Sequence, residues 1–394
     1  MVLACGSGDS PVDPRIDPTD HSGPVALPII GRGTVTERAT TEVWAHGSYA
    51  YTATASRSGA GGTILGNCIK VWNISSDVPV LVDSVIVAEA QKLSDIQVSD
   101  DGSLLVVSTE FEPGSILIYS LTDPARPALL SRFTNADTNP GVHTVEVARV
   151  NGILHAFLST DAQSASPSKL VIADLRDPLE PRQVFARPMG SPFIHDVFVR
   201  DGILFTMLWN SGVEVFDIGG GNKGGSPSNP VSIGLLGTQG GRVHNGWWYH
   251  DSSGSKRYLF VGEEGPSLSG SKSSGDIHVV DISNLALPRE VAFYSVTDAV
   301  THNVSVDEQR GILYAAYYNG GVRAIDIRGD LSACTSSERS ADGRCDLVKM
   351  KRELGTGLLD AGIAPYVWGV HLMNRRLYVS DMFTGLWVLG ELPR

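Results

Sequence analysis

Positive charge is scarce in this chain. Its 394 residues carry 31 Lys and Arg against 43 Asp and Glu, a formal charge of −12, and no block of basic residues occurs. Non-specific nucleic-acid binding is thereby excluded, and direct docking onto anionic lipid is disfavoured. Long apolar runs are missing too, so no segment reads as a membrane-spanning helix. Cysteine is limited to Cys5, Cys68, Cys334 and Cys345 with no CxxC spacing, which leaves a zinc knuckle or a thioredoxin-like pair without support. No base is recognisable beside Cys68, so a thiol nucleophile is not expected there. A Gly-x-Ser-x-Gly elbow, a phosphate loop and a dinucleotide fingerprint ahead of a helix are also absent, and no nucleotide cofactor is expected. The glycine-rich stretch 219–225 joins two predicted strands, so it is a loop insertion. What the chain does have is 43 glycines, 21 prolines and 42% hydrophobic residues, the composition of a folded protein rich in turns.

Repetition carries the fold. A short alternating apolar strand that ends in Asp or another small residue occurs at 69–74, 116–121, 170–175, 213–218, 277–282, 322–327 and 386–390. Its terminal markers, Asn73, Ser120, Asp174, Asp217, Asp281, Asp326 and Gly390, are spaced by 47, 54, 43, 64, 45 and 64 residues. A second strand precedes each marker, often opening with glycine as at Gly102, Gly152, Gly202 and Gly311, and a third lies before that. A fourth follows a proline turn, as after Pro127 and Pro288. This pattern predicts an all-β, seven-bladed β-propeller over 24–394, with four antiparallel strands per blade. The chain lacks a last strand after Gly390, while 24–35 reads as a strand ahead of the first repeat. The N-terminal strand is therefore expected to complete the last blade and close the ring, in preference to an open solenoid or two sandwiches. Segments 263–276 and 328–366 are expected insertions that shape a mouth or a partner surface.

The strands Leu170-Val-Ile-Ala-Asp174 and Ile277-His-Val-Val-Asp281, followed by Arg-Asp-Pro or Ser-Asn-Leu, resemble those of the bacterial LVIVD-repeat β-propeller proteins, over roughly 24–394. That resemblance implies the propeller fold and a surface or cell-envelope location, and it implies no particular activity. Val2-Leu3-Ala4-Cys5 with the Gly/Ser/Asp residues after it resembles the cleavage box of bacterial lipoproteins. It implies an exported protein lipidated on Cys5, with 1–23 as a flexible tether and the charged and apolar parts of the signal upstream. Membrane contact is expected through that anchor alone. Cys334 and Cys345 enclose a short polar segment and would pair as a disulfide in an exported chain.

Aligning the first strands of the blades brings four of the ten histidines into one register: His143, His195, His244 and His302, in blades three to six. Thr40, Ser94 and Trp368 take the corresponding places elsewhere. First strands line the channel of a propeller, so these imidazoles should converge on the axis, a donor set suited to iron, copper, zinc or nickel. The other reading is inheritance by repeat duplication, with each imidazole bonded to a backbone carbonyl. The residues that follow in three of these strands, Asp196, Asn245 and Asn303, together with Thr144, point to the opposite face and are expected to tie strand ends together. Glu146, Glu214, Glu263 and Glu264 are candidates to orient an imidazole. Trp368, with Trp44, Trp209 or Tyr318, is a candidate pocket wall, although such side chains more often pack the core. His46, His155, His250, His278 and His371 lie outside the axial register and are read as packing or surface residues. In axial placement only, the site resembles the four-histidine iron centre of carotenoid-cleaving oxygenases and the histidine-rich copper centre of selenium-binding propellers. The expected function is a metal-dependent oxidoreductase, an oxidase or oxygenase, using iron or copper, with zinc as the further option, on a small-molecule substrate. The alternative is a lipid-anchored envelope propeller that binds protein or glycan without chemistry.

Overall fold

The computed structural model describes residues 23–59, 61–161, 167–190, 192–265 and 275–392; Cys5 and the rest of the expected tether up to residue 22 lie outside them. Seven four-stranded antiparallel units follow one another along the chain. Blade one is Ala39–His46, Tyr49–Ala55, Cys68–Asn73 and Val80–Ile86; blade two is Lys92–Val98, Leu104–Glu110, Ser115–Ser120 and Ala128–Phe133. Blade three is Val142–Val150, Ile153–Thr160, Lys169–Asp174 and Arg182–Pro188; blade four is Asp196–Arg200, Ile203–Met207, Val213–Asp217 and Val231–Leu236. Blade five is Val243–Tyr249, Tyr258–Glu263, Ile277–Asp281 and Arg289–Tyr294; blade six is Val304–Asp307, Ile312–Ala316, Val322–Asp326 and Glu353–Gly357. Blade seven takes Val367–Met373, Arg376–Asp381 and Gly385–Gly390 from the C-terminal end, and its outer strand, Ile29–Thr34, from the N-terminal one.

The repeated sequence features have local causes. Between first and second strands, Asn151-Gly152 and Asp201-Gly202 both hold positive φ, 51° and 80° in one pair and 50° and 71° in the other. Two successive left-handed residues make the tight hairpin turn that matches strand twist, and they explain the recurrent glycine. The marker residue ends its strand with a turn made by its own side chain. Asp174 Oδ1 accepts from Arg176 N at 2.8 Å, Asp281 Oδ1 from Ser283 N at 3.0 Å, Asp326 Oδ1 from Arg328 N at 3.0 Å, and Asn73 Oδ1 from Ser75 N at 2.9 Å. Apolar alternation then buries one blade against the next, as where Tyr51, Ile69 and Val71 of blade one meet Leu105, Val107 and Leu117 of blade two.

Ring closure uses more of the N-terminal segment than one strand. Ile29 lies opposite Leu389 and Thr34 opposite Gly385, while Val25–Ala26 run parallel to Gly355 and Thr356 of blade six. The segment therefore bridges two blades. The stretch 328–366, expected as an insertion throughout, is corrected: Glu353–Gly357 within it is the outer strand of blade six. The residues ahead of it fold over blade five, where Cys345–Asp346 add a short parallel strand to Arg289–Tyr294 and Cys345 is disulfide-bonded to Cys334.

Candidate metal centre

A shift in strand register sets two of the four histidines. In blade three Val142 faces Thr160 and Thr144 faces Ser159, so His143 is the extra residue of a bulge. His244 holds the same place between Val243 and Asn245, and Trp368 between Val367 and Gly369. Such a bulge bends the strand and re-aims a side chain. His195 and His302 stand just before their strands, each N–H donating at 2.7 Å to the second strand, at Met207 O and Ala316 O. Ser94 falls in the matching shift of blade two. Thr40 does not: it pairs with Thr54 ahead of the shift in blade one, where Thr41 and Glu42 stand against the single residue Ala53.

The four imidazoles form a continuous row, with ring centroids 4.4 Å apart from His143 to His195, 4.1 Å from His195 to His244 and 4.1 Å from His244 to His302. His195 Nδ1 lies 3.1 Å from His244 O and His302 Nδ1 2.7 Å from Trp368 O. A carbonyl only accepts, so both rings carry their hydrogen on Nδ1 and present a bare Nε2. The carbonyl bond does not recur in every blade. His244 Nδ1 is buried without a hydrogen-bond partner among the described residues, and His143 Nδ1 faces Glu110 Oε1 at 3.3 Å.

The donor atoms fall into two groups, each confined within 4.8 Å: His195, His244 and Glu264, and Glu110, His143 and Asp161. His302 belongs to neither group, and its contact with the row is through its ring. Glu264 Oε2 is 4.0 Å from His195 Nε2 and 3.9 Å from His244 Nε2, and Tyr318 OH donates to Glu264 Oε1 at 2.6 Å. His143 Nε2 lies 3.0 Å from His195 Nε2. Two ligands on one ion at about 2.1 Å each can stand no more than about 4.2 Å apart, and each of these three separations lies within that limit.

Burial pushes His195 and His302 well below their ordinary value, and neighbouring imidazoles add to the effect. Burial and His143 push His244 down to about 3. Neutral imidazole is the form that ligates. For His143 burial acts the same way, but the charge and hydrogen bond of Glu110 outweigh it and raise the ring's pKa. Burial would raise Glu110 as well, yet His143 and Lys92 hold it well below the carboxylate range.

Below the row, the next residue of each blade builds a polar belt. Thr144 Oγ1 donates to His195 O at 3.1 Å, Asn245 Nδ2 to His302 O at 2.5 Å and to Asn303 Oδ1 at 2.8 Å, and Asn303 Nδ2 to Glu42 Oε1 at 2.5 Å. Asp95 Oδ2 accepts from Val145 N at 2.8 Å. Each of these bonds links one blade to another. A cavity of about 30 Å³ lies between belt and imidazoles. Through Glu42, Asp95, Asp196 and Asn303 it adjoins a chamber of about 680 Å³. Burial, then the charge of Asp95, pushes Asp196 up to about 7, and burial pushes Asp95 up to about 6.

The aromatic residues divide between the two sides. Trp209 stacks on His195 at 5.2 Å, and Trp368 and Tyr318 lie 4.2 and 5.2 Å from His302. Trp44 does not join them; its ring meets His371 at 4.3 Å and lines the large chamber, because it lies two residues beyond the shift. Glu146 also lines that chamber, Glu214 pairs with Arg187, and Glu263 faces His278. Glu110 and Asp161 were not anticipated. Asp161 and Glu264 share one blade position, since their N–H groups donate to Gly141 O and Arg242 O at 3.0 Å each. An acid one residue past the second strand of a histidine-bearing blade is the signal that finds both.

No known protein-family model matches the chain, and no curated protein is recognisably similar to it. The propeller fold stands on its strand topology, and the LVIVD likeness on the strand pattern alone.

Proposed function

We propose that the protein is a metal-dependent propeller whose axis holds iron or copper on His195, His244 and Glu264, flanked by the imidazoles of His143 and His302, for redox chemistry on a small molecule. The observation that carries this reading is the convergence of donor atoms of buried His195, buried His244 and half-buried Glu264 within 4.8 Å. Two imidazoles and a carboxylate with open positions are a donor set that suits redox iron, and added imidazole suits copper. Either ion supplies one-electron chemistry and polarises a group bound to it. The chain supplies the rest. Carbonyls fix the His195 and His302 rings, Tyr318 holds Glu264, and Trp209 and Trp368 cover ring faces against water. The 30 Å³ cavity has room for water-sized ligands, and the 680 Å³ chamber has the size of a small-molecule site.

We place this chemistry in the bacterial cell envelope, on a chain exported and lipid-anchored through Cys5, and the Cys334–Cys345 disulfide supports an oxidising compartment. The test is elemental analysis and an absorption spectrum of tag-free protein reconstituted with ferrous iron or cupric copper. Stoichiometric metal, lost in a folded His195→Ala variant, is expected. Protein that stays metal-free overturns the reading and leaves the envelope propeller that binds protein or glycan.

A further inference from the structure

The second donor group lies on the opposite edge of the His143 ring from His195. His143 Nδ1 is 3.3 Å from Glu110 Oε1 and 3.8 Å from Asp161 Oδ1. What separates this group from a simple ion pair is that the far atom of each side chain is already engaged. Glu110 Oε2 accepts from Ser94 Oγ at 2.9 Å and pairs with Lys92. Asp161 Oδ2 accepts from Phe111 N at 3.5 Å and is seated against Gly141, where a Cβ would stand 2.1 Å from it. Gly141 has φ +141, so glycine alone leaves both the backbone and the carboxylate in place. His143 Nε2 faces His195 Nε2 at 3.0 Å. The remaining atoms, Glu110 Oε1, His143 Nδ1 and Asp161 Oδ1, converge, with their supports in place as a metal site requires.

We propose that Glu110, His143 and Asp161 bind a second divalent transition-metal ion, and that the His143 ring bridges it to the axial ion through its two nitrogens. The bridge rests on the axial centre proposed above; the second site itself does not. With metal–nitrogen bonds of about 2.0 Å the two ions sit about 6 Å apart. When both are bound, the hydrogens on the two ring nitrogens of His143 pass to solvent. Lys92 offsets one of the carboxylate charges and keeps Glu110 from turning away.

Zinc is the probe: tag-free full-length protein is equilibrated with zinc chloride, freed of excess and measured for zinc per chain. Two equivalents are expected in the wild type and one in each of Asp161→Asn, Glu110→Gln and His244→Ala, with thermal melts showing folded protein. Copper(II) adds an independent readout. The bridged pair should give less electron-paramagnetic signal than its copper content, and Asp161→Asn should restore full intensity for the copper it keeps. One equivalent in the wild type, unchanged by Asp161→Asn and Glu110→Gln but lost in His244→Ala, overturns the second site and leaves the axial centre. One equivalent lost in Asp161→Asn but kept in His244→Ala overturns the axial centre and supports the second site. No zinc at all overturns both.

Discussion

At the scale of single residues, buried ionisable groups mark where this propeller departs from a plain packed core. His278, in the third strand of blade five, is fully buried between Glu290 Oε1 at 2.7 Å and Glu263 Oε2 at 3.3 Å. Arg344 also pairs with Glu290, and Asp276 is near enough to interact. Burial would lower the His278 pKa, but the two carboxylates outweigh it and raise it from 6.5 to about 9. A group whose folded pKa is raised stabilises the fold fully below its unfolded value and loses that contribution as pH rises through the folded one. The stability advantage of wild type over His278→Gln should therefore be largest below pH 6.5 and vanish above about pH 9. Urea denaturation across pH 6 to 10 checks this, and a constant difference would refute it. The same residue also links the insertion to the candidate centre: Arg344 adjoins disulfide-bonded Cys345, and Glu263 adjoins Glu264.

The turn after each third strand shows how an element is set by one side chain. In blade four Asp217 goes further than its equivalents, because its two oxygens organise the whole glycine-rich insertion. Oδ1 accepts from Gly219 N and Gly221 N at 2.8 Å each, and Oδ2 from Lys223 N at 2.6 Å and Gly225 N at 3.2 Å. Burial would raise the Asp217 pKa, but these four donors lower it to about 2. The insertion is a glycine-rich loop folded around the chain's own carboxylate. Asp217→Ala should cost about 3 kcal/mol of stability at neutral pH, since four hydrogen bonds to a charged acceptor are lost. The wild-type contribution is present above the ordinary value of 3.8 and fades as pH falls through about 2. Equal melting temperatures of wild type and variant at pH 7 would contradict this account. The bulge of the first strand is the second decisive element: its extra residue is His143 in one blade and His244 in another, both in the imidazole row, and the following residue serves the belt that ties blades together.

For the molecule as a whole, closure and the axis are the two outcomes that matter. Residues 25–34 engage blades six and seven together, so deleting 24–35 should sharply lower the melting temperature or solubility by exposing the edge of Gly385–Gly390. Unchanged melting would remove that role. Read from the chain alone, the seven repeats, the closing strand and the register of His143, His195, His244 and His302 were all accessible, because alternation, turn glycines and the marker residue are local properties that recur with each blade. Three matters were not accessible. Neither the one-residue shift in blade one nor the outer strand of blade six hidden within 328–366 leaves a clear local pattern. The carboxylates beside His143 were the third: Glu110 reaches it from the neighbouring blade, and Asp161 sits just past a strand whose end only the folded ring brings to it, whereas Glu264 was among the acids named as partners of an imidazole. Local periodicity writes each blade into the sequence. Which side chains of different blades share the axis depends on ring geometry and on bulges, and these exist only once all seven blades have packed.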